Sequence, residues 1–217
     1  MYLRRSDALF TVARTVTSLC LKAYHCVELE GLEHIPTRGA ALMLPKHQHY
    51  EDILLEGLAL QQRGRKASWV MASYLPKPLV LLGGIPFIRL KDIKGRLRSL
   101  EKEERRRILE DTKRHNQESL DYVAWLYGRG EIVVVHPEGT TTGARGRMLP
   151  VRPDFIRHAY DVQERLGIEI PVIPVGLQYY GPRRPRSRVA VRVGRPLALS
   201  RDVGCLVERE IARLSGL

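Results

Sequence analysis

Cysteine is nearly missing from this chain. Cys20, Cys26 and Cys205 are the only three, and none stands in a CxxC or framework spacing. That excludes a disulfide scaffold and suits reduced thiols in a cytosolic setting. Long apolar runs are missing too: no stretch approaches the ~20 residues a membrane-spanning helix needs. Arg14 and Lys22 interrupt the apolar stretch near the N-terminus, so it does not read as a secretory signal. Aromatics make up 6% of the chain, too few for a platform on which bases stack. No helix-turn-helix, zinc-finger or RNA-binding signature accompanies them, so nucleic acid is not expected as a partner. There is no repeat and no flexible linker, and nothing marks a second globular unit.

Positive charge is what the chain has in excess. Lys and Arg number 36 against 24 Asp and Glu, a net charge of +12. Such an excess calls for an anionic partner: nucleic acid, an anionic membrane or a phosphorylated substrate. The cations cluster. Arg183, Arg184, Arg186, Arg188, Arg192 and Arg195 share one stretch without an acid, and Lys91, Lys94, Arg96 and Arg98 share another with only Asp92. The rest of the composition, 44% hydrophobic and 28% charged in 217 residues, is that of a globular chain able to build one good core.

Hydrophobic spacing supplies the architecture. Residues 6–24 read as an amphipathic helix with Leu9, Val12, Ala13, Val16, Leu19, Cys20 and Ala23 on one face. Two uses fit that face: packing on the core, or lying in a membrane interface with Arg4, Arg5, Arg14 and Lys22 on anionic headgroups. Runs at 27–31, 40–44, 68–72, 131–135, 171–177 and 189–193 read as strands. Residues 53–60 and 155–166 read as helices, and 96–127 as one long helix or two consecutive ones. The turn Gly83-Gly84 feeds an extended segment that delivers Arg89. This alternation predicts an α/β fold, a sandwich of helices around a largely parallel mixed sheet, with the amphipathic helix at its N-terminus.

The most informative residues are His47 and Asp52, in Lys46-His47-Gln48-His49-Tyr50-Glu51-Asp52. They lie between an apolar strand and a helix, where α/β proteins mount catalytic groups. On a continuous helix, residues five apart point about 140° away from each other, so the pair meets only if the chain turns between them. A histidine with its orienting carboxylate is a general base. His47, His49 and Asp52, with His136, also suit a metal superficially. The run is incomplete as a metal motif, because Ile53 follows Asp52, and no metal is expected.

Four segments stand in a fixed order: His47…Asp52, then Gly84-Ile85-Pro86-Phe87-Ile88-Arg89, then Pro137-Glu138-Gly139-Thr140, then Val172-Ile173-Pro174-Val175. From about Val27 to Leu197 this order resembles the glycerolipid acyltransferase family, which acylates glycerol 3-phosphate and lysophosphatidic acid. The resemblance implies an O-acyltransferase domain over 27–217, and the amphipathic segment over 1–26 precedes it as a candidate membrane-docking helix. It implies His47 as base, Asp52 as its orienter, Arg89 on the acceptor phosphate or headgroup, and Glu138, Gly139 and Thr140 lining the same pocket. It implies acyl-CoA or acyl carrier protein as co-substrate without a cofactor, and a lysophospholipid-like acceptor. It also implies a peripheral place on the cytoplasmic side of an anionic membrane. The chain departs from the family pattern at Lys46 and His49, where asparagine and serine are common, and at His136, where an aromatic is usual. Thr141 stands where an arginine usually follows, and Arg145 or Arg147 are substitutes within reach.

Overall fold

The structure, a computed structural model, describes residues 5–141, 147–181 and 185–217, without the side chains of Arg14 and Lys22. Arg4, Arg183 and Arg184, named above among the cations, lie outside the described residues.

Helix α1 (Asp7–Tyr24) starts where Ser6 turns its hydroxyl onto the Leu9 N–H, a side-chain cap for a donor the helix cannot satisfy itself. The chain then runs through β1 (His25–Glu30), β2 (Ala41–Pro45), α2 (Asp52–Gln62), β3 (Ala67–Ala72), the short α3 (Pro78–Leu81) and β4 (Gly84–Phe87). It continues with α4 (Leu90–Arg98), α5 (Lys102–Gly128), β5 (Ile132–Val134), α6 (Asp154–Leu166), β6 (Val172–Tyr180), β7 (Ser187–Val193) and α7 (Gly204–Leu214).

The seven strands form one sheet in the order β1-β7-β6-β2-β5-β3-β4. Every neighbouring pair is parallel except β6 and β7. Both faces of the central strands are covered, as parallel sheets require, and β2 and β5 are buried along their whole length. Alternation along β2 sends Met43 to one core with Phe10, Leu55, Leu58 and Trp69. It sends Leu42 and Leu44 to the other, with Val123, Leu126, Ile156 and Val207. The expected sandwich around a largely parallel mixed sheet is the fold observed.

The structure decides two readings that spacing left open, for 96–127 and for α1, and adds one element. The 96–127 segment is two helices, broken at Ser99-Leu100-Glu101: α4 buries nothing, whereas the end of α5 buries Val123, Ala124, Leu126 and Tyr127. Helix α7 had no assignment, yet its Val207, Ile211 and Leu214 follow core spacing. A Cβ on Gly176 would collide with the Leu214 backbone, so this glycine lets α7 lie close on β6. In α1 the apolar stripe faces outward: Leu9, Val12, Val16 and Leu19 are 45%, 62%, 55% and 66% exposed, while Phe10 and Leu21 enter the core. The helix is therefore apolar on two sides, one docked on α2 and one uncovered.

Candidate active site

The carboxyl ends of β2, β3, β4, β5 and β6 lie on one side of the sheet, where ligands bind in open α/β folds. His47 leaves β2 by two residues, and Asp52 is the first residue of α2. The turn between them brings His47 Nδ1 to 3.1 Å from Asp52 Oδ2. The same oxygen accepts the backbone N–H groups of Gln48 at 2.6 Å and His49 at 2.7 Å. Oδ1 accepts the Tyr179 hydroxyl at 2.6 Å. Burial, and then the Asp52 carboxylate beside it, push the Tyr179 phenol upward, so it stays protonated and remains a donor. Asp52 is buried and saturated with donors, which fixes the plane and tautomer of His47.

A second carboxylate holds the loop from the other side. Glu138 accepts Lys46 Nζ at 2.8 Å on both oxygens, the His47 N–H at 3.3 Å and the Leu149 N–H at 2.9 Å. Lys46 and Glu138 are both sealed from solvent. Lys46 Nζ also donates to the Arg147 carbonyl at 3.1 Å. The pocket role expected for Glu138 therefore reads differently in the structure: its carboxylate clamps the base loop and is not part of the cavity wall. Arg147 takes part through its backbone, and its side chain is exposed. Arg145 lies outside the described residues.

A cavity of about 310 Å³ opens beside His47. Its wall includes His136, Gly139, Thr140, Thr141, Arg89 and Arg152. Gly139 has φ +64°, and a Cβ there would lie 2.9 Å from Arg152 Nε, so glycine is needed for Arg152 to cross this turn. Arg89 is forked onto Asp92, with bonds of 2.7 and 2.9 Å, and gives its remaining reach to the Gly139 carbonyl at 2.9 Å. Burial pulls its guanidinium down, but the bonds to Asp92 and Tyr74 outweigh this and hold it upward. Lys91 also donates to the Gly139 carbonyl, at 2.8 Å. Arg152 is different: among the described residues its guanidinium has no hydrogen bond and no ion pair, while its backbone N–H is tied to the Pro137 carbonyl at 3.0 Å.

His136 stacks on His47 with ring centroids 3.8 Å apart and planes 22° from parallel. Its Nε2 meets Glu56 Oε1 at 2.9 Å, and Glu56 Oε2 accepts Trp69 Nε1 at 2.8 Å. Among the described residues no three His, Cys, Asp or Glu side chains converge as a metal would need. Behind Ile53, Met71 and Leu75, which border both spaces, lies a second, apolar cavity of about 180 Å³ that reaches Phe10, Leu58 and Trp69.

Sequence reasoning placed His47, Asp52, Arg89, Gly139 and Thr140 around one site, and the structure brings them to one cavity or its edge. It missed Tyr179, Glu56 and Arg152. Glu56 carried a visible signal, a lone carboxylate inside the apolar run Ile53-Leu54-Leu55-Glu56-Gly57-Leu58. Tyr179 is 127 residues from Asp52 and carried none.

Comparison with known proteins bears on the family and the fold. The family description Acyltransferase matches residues 26–178. The fold is similar to the crystal structure of the 1-acyl-sn-glycerophosphate (LPA) acyltransferase PlsC from Thermotoga maritima, with a TM-score of 0.62 and 17% identity. That match covers 99% of this chain and 83% of the other. A search of curated proteins returns no match. With strands β2 to β5 and the residues lining the His47 cavity inside the matched span, the chain belongs to the acyltransferase family.

Proposed function

We propose that the protein is an O-acyltransferase that moves a fatty acyl group from acyl-CoA or acyl carrier protein to the hydroxyl of a lysophospholipid or glycerol-phosphate-like acceptor. The observation that carries this reading is the His47–Asp52 pair, oriented at the mouth of a cavity that has an apolar one behind its Ile53, Met71 and Leu75 wall. With Nδ1–H donated to Asp52, the basic nitrogen of His47 is Nε2. It takes the proton of the acceptor hydroxyl as that oxygen attacks the thioester carbonyl. The C–O bond forms, the C–S bond breaks as the intermediate collapses, and His47 returns the proton to the leaving thiolate. The thioester is already activated, so the reaction needs no cofactor and no serine intermediate. The apolar cavity against α1 and α2 suits the acyl chain.

Arg152 is the better anchor for an acceptor anion. Arg89 meets its counter-charge in Asp92 before any ligand arrives, whereas Arg152 lies across Gly139 with no partner on its fork among the described residues. Arg152→Ala raises KM for lysophosphatidic acid about 10- to 100-fold, the worth of one or two charged hydrogen bonds, with kcat little changed. Steady-state kinetics check this; an unchanged KM removes Arg152 from the headgroup site.

Membrane docking follows from the uncovered stripe of α1. No helix among the described residues is long and apolar enough to cross a membrane. The proposed mode is peripheral, with Leu9, Val12, Val16 and Leu19 in the interface and basic residues on anionic headgroups, at about 1 kcal/mol per Lys or Arg. Val12→Asp with Val16→Asp reduces co-sedimentation with phosphatidylglycerol vesicles at least several-fold and leaves the melting temperature near that of the wild type. Unchanged co-sedimentation would exclude this face.

The function itself is tested by incubating the protein with labelled acyl-CoA or acyl carrier protein and a panel of lysolipids, then identifying products by mass. An ester product bearing the label supports the reading. Label recovered only as free fatty acid, or on none of the acceptors, contradicts it.

A further inference from the structure

His136 and Glu56 form a second imidazole–carboxylate pair beside the first, and the base mechanism does not use them. Glu56 sits in the core with its two oxygens divided between Trp69 Nε1 and His136 Nε2. A carboxylate buried among Leu55, Leu58 and Ala59 is costly unless it is paired, and a cationic partner is the one that neutralises it. His136 is the neighbour able to supply that charge. It lines the cavity, its ring lies flat on that of His47, and among the described residues its Nδ1 has no hydrogen-bond partner. The charged groups facing it are Glu56 and Asp52 from α2, Glu138 from the loop after β5 and His47 itself. Burial pulls the His136 imidazole down, but Glu56 first and then Asp52 and Glu138 outweigh this and move it upward.

We infer that His136 is a second catalytic residue: held as an imidazolium by Glu56, it offers Nδ1–H to the oxyanion that forms on the thioester carbonyl. The inference rests on the acyl-transfer reading above. The charges balance as two pairs. His47 takes the alcohol proton against Asp52, while the negative charge appearing on the carbonyl oxygen falls beside His136 against Glu56. On collapse the C=O bond re-forms, the thiolate leaves, and His47 gives its proton to sulfur. His136 neither gains nor loses a proton over the cycle. Two cationic rings 3.8 Å apart would repel each other at the moment of proton transfer. That repulsion is answered by one buried carboxylate for each ring, and it favours return of the proton from His47 to the leaving thiolate.

The sign of the pH dependence follows. A histidine moved upward is charged below its own pKa and loses its proton as pH rises through it. The group needed as a cation is then lost, so activity falls on the basic side. Glu56→Gln removes the largest support for the charge and moves this basic limb to lower pH.

The test uses purified full-length protein, a long-chain acyl-CoA and lysophosphatidic acid. His136→Phe keeps a flat ring against His47, and it lowers kcat about 10²–10³-fold with KM little changed, the usual loss for one oxyanion donor. His136→Gln, which keeps a neutral donor, loses less. Glu56→Gln shifts the basic limb of the kcat profile downward. His136→Phe with wild-type kcat and an unmoved basic limb overturns the inference and leaves the acyl-transfer reading standing. A wild type that transfers no acyl group overturns both.

Discussion

Replacing His47 by alanine lowers kcat for acyl transfer by about 10²–10⁴-fold, the range a positioned general base supplies. Folding is retained, because the ring is partly exposed at the cavity and its removal leaves the Asp52 carboxylate with its two backbone donors and Tyr179. Asp52→Asn goes further than its size suggests. An amide offers an N–H where the carboxylate now receives donors, and it cannot fix the His47 tautomer. In serine hydrolases the equivalent change costs about 10⁴ in kcat with geometry intact. Here the amide also faces the Gln48 and His49 N–H groups and the Tyr179 hydroxyl, so a loss of stability accompanies the loss of rate. Steady-state rates with circular dichroism as a folding control separate the two effects. Tyr179→Phe isolates one donor: it leaves His47 and the backbone contacts in place and costs much less in rate.

The second large effect is on stability. Glu138→Ala strips the buried Lys46 cation of its carboxylate and frees the Leu149 N–H, and it destabilises the protein by about 3–5 kcal/mol, as breaking one side of a buried ion pair does. In a chain of this size that lowers the melting temperature by roughly 6–20 °C. Lys46→Met together with Glu138→Leu removes both charges and costs less than Glu138→Ala alone, a non-additivity expected of direct partners. Scanning calorimetry on the wild type, Lys46→Met, Glu138→Leu and the double variant checks the cycle; strictly additive shifts would show that the pair is not coupled. Because Glu138 also receives the His47 N–H, its loss lowers activity below the melting transition as well.

Much of this was legible in the sequence because it is local. The strand at 40–44, the turn after it and a helix over 53–60 with Asp52 near its start all follow from spacing within about twenty residues, and they place the base and its carboxylate together. The glycine at 139 and the arginine at 89 were legible as site residues through the resemblance of their segments to the family's. The roles of Arg89 and Glu138 were less so, because a role depends on who else arrives. Asp92 takes up the Arg89 fork, and Lys46 takes up Glu138 across 92 residues of chain. Lys46 and His136, departures from the usual residues, each turn out to have a buried carboxylate partner, Glu138 and Glu56. The outward stripe of α1 was read correctly as apolar, but spacing does not say which apolar side of a helix meets the core. Phe10 and Leu21 decided that by packing under α2 and β3.

The central claim is that His47, oriented by Asp52, takes the proton of an acceptor hydroxyl during direct acyl transfer from a thioester. Single-turnover formation of ester from a labelled acyl thioester and lysophosphatidic acid, compared between the wild type and His47→Gln, tests it most directly. The account predicts labelled phosphatidic acid from the wild type and at least a hundredfold slower formation from His47→Gln, in line with loss of a general base. Ester formation at the wild-type rate by folded His47→Gln would contradict it.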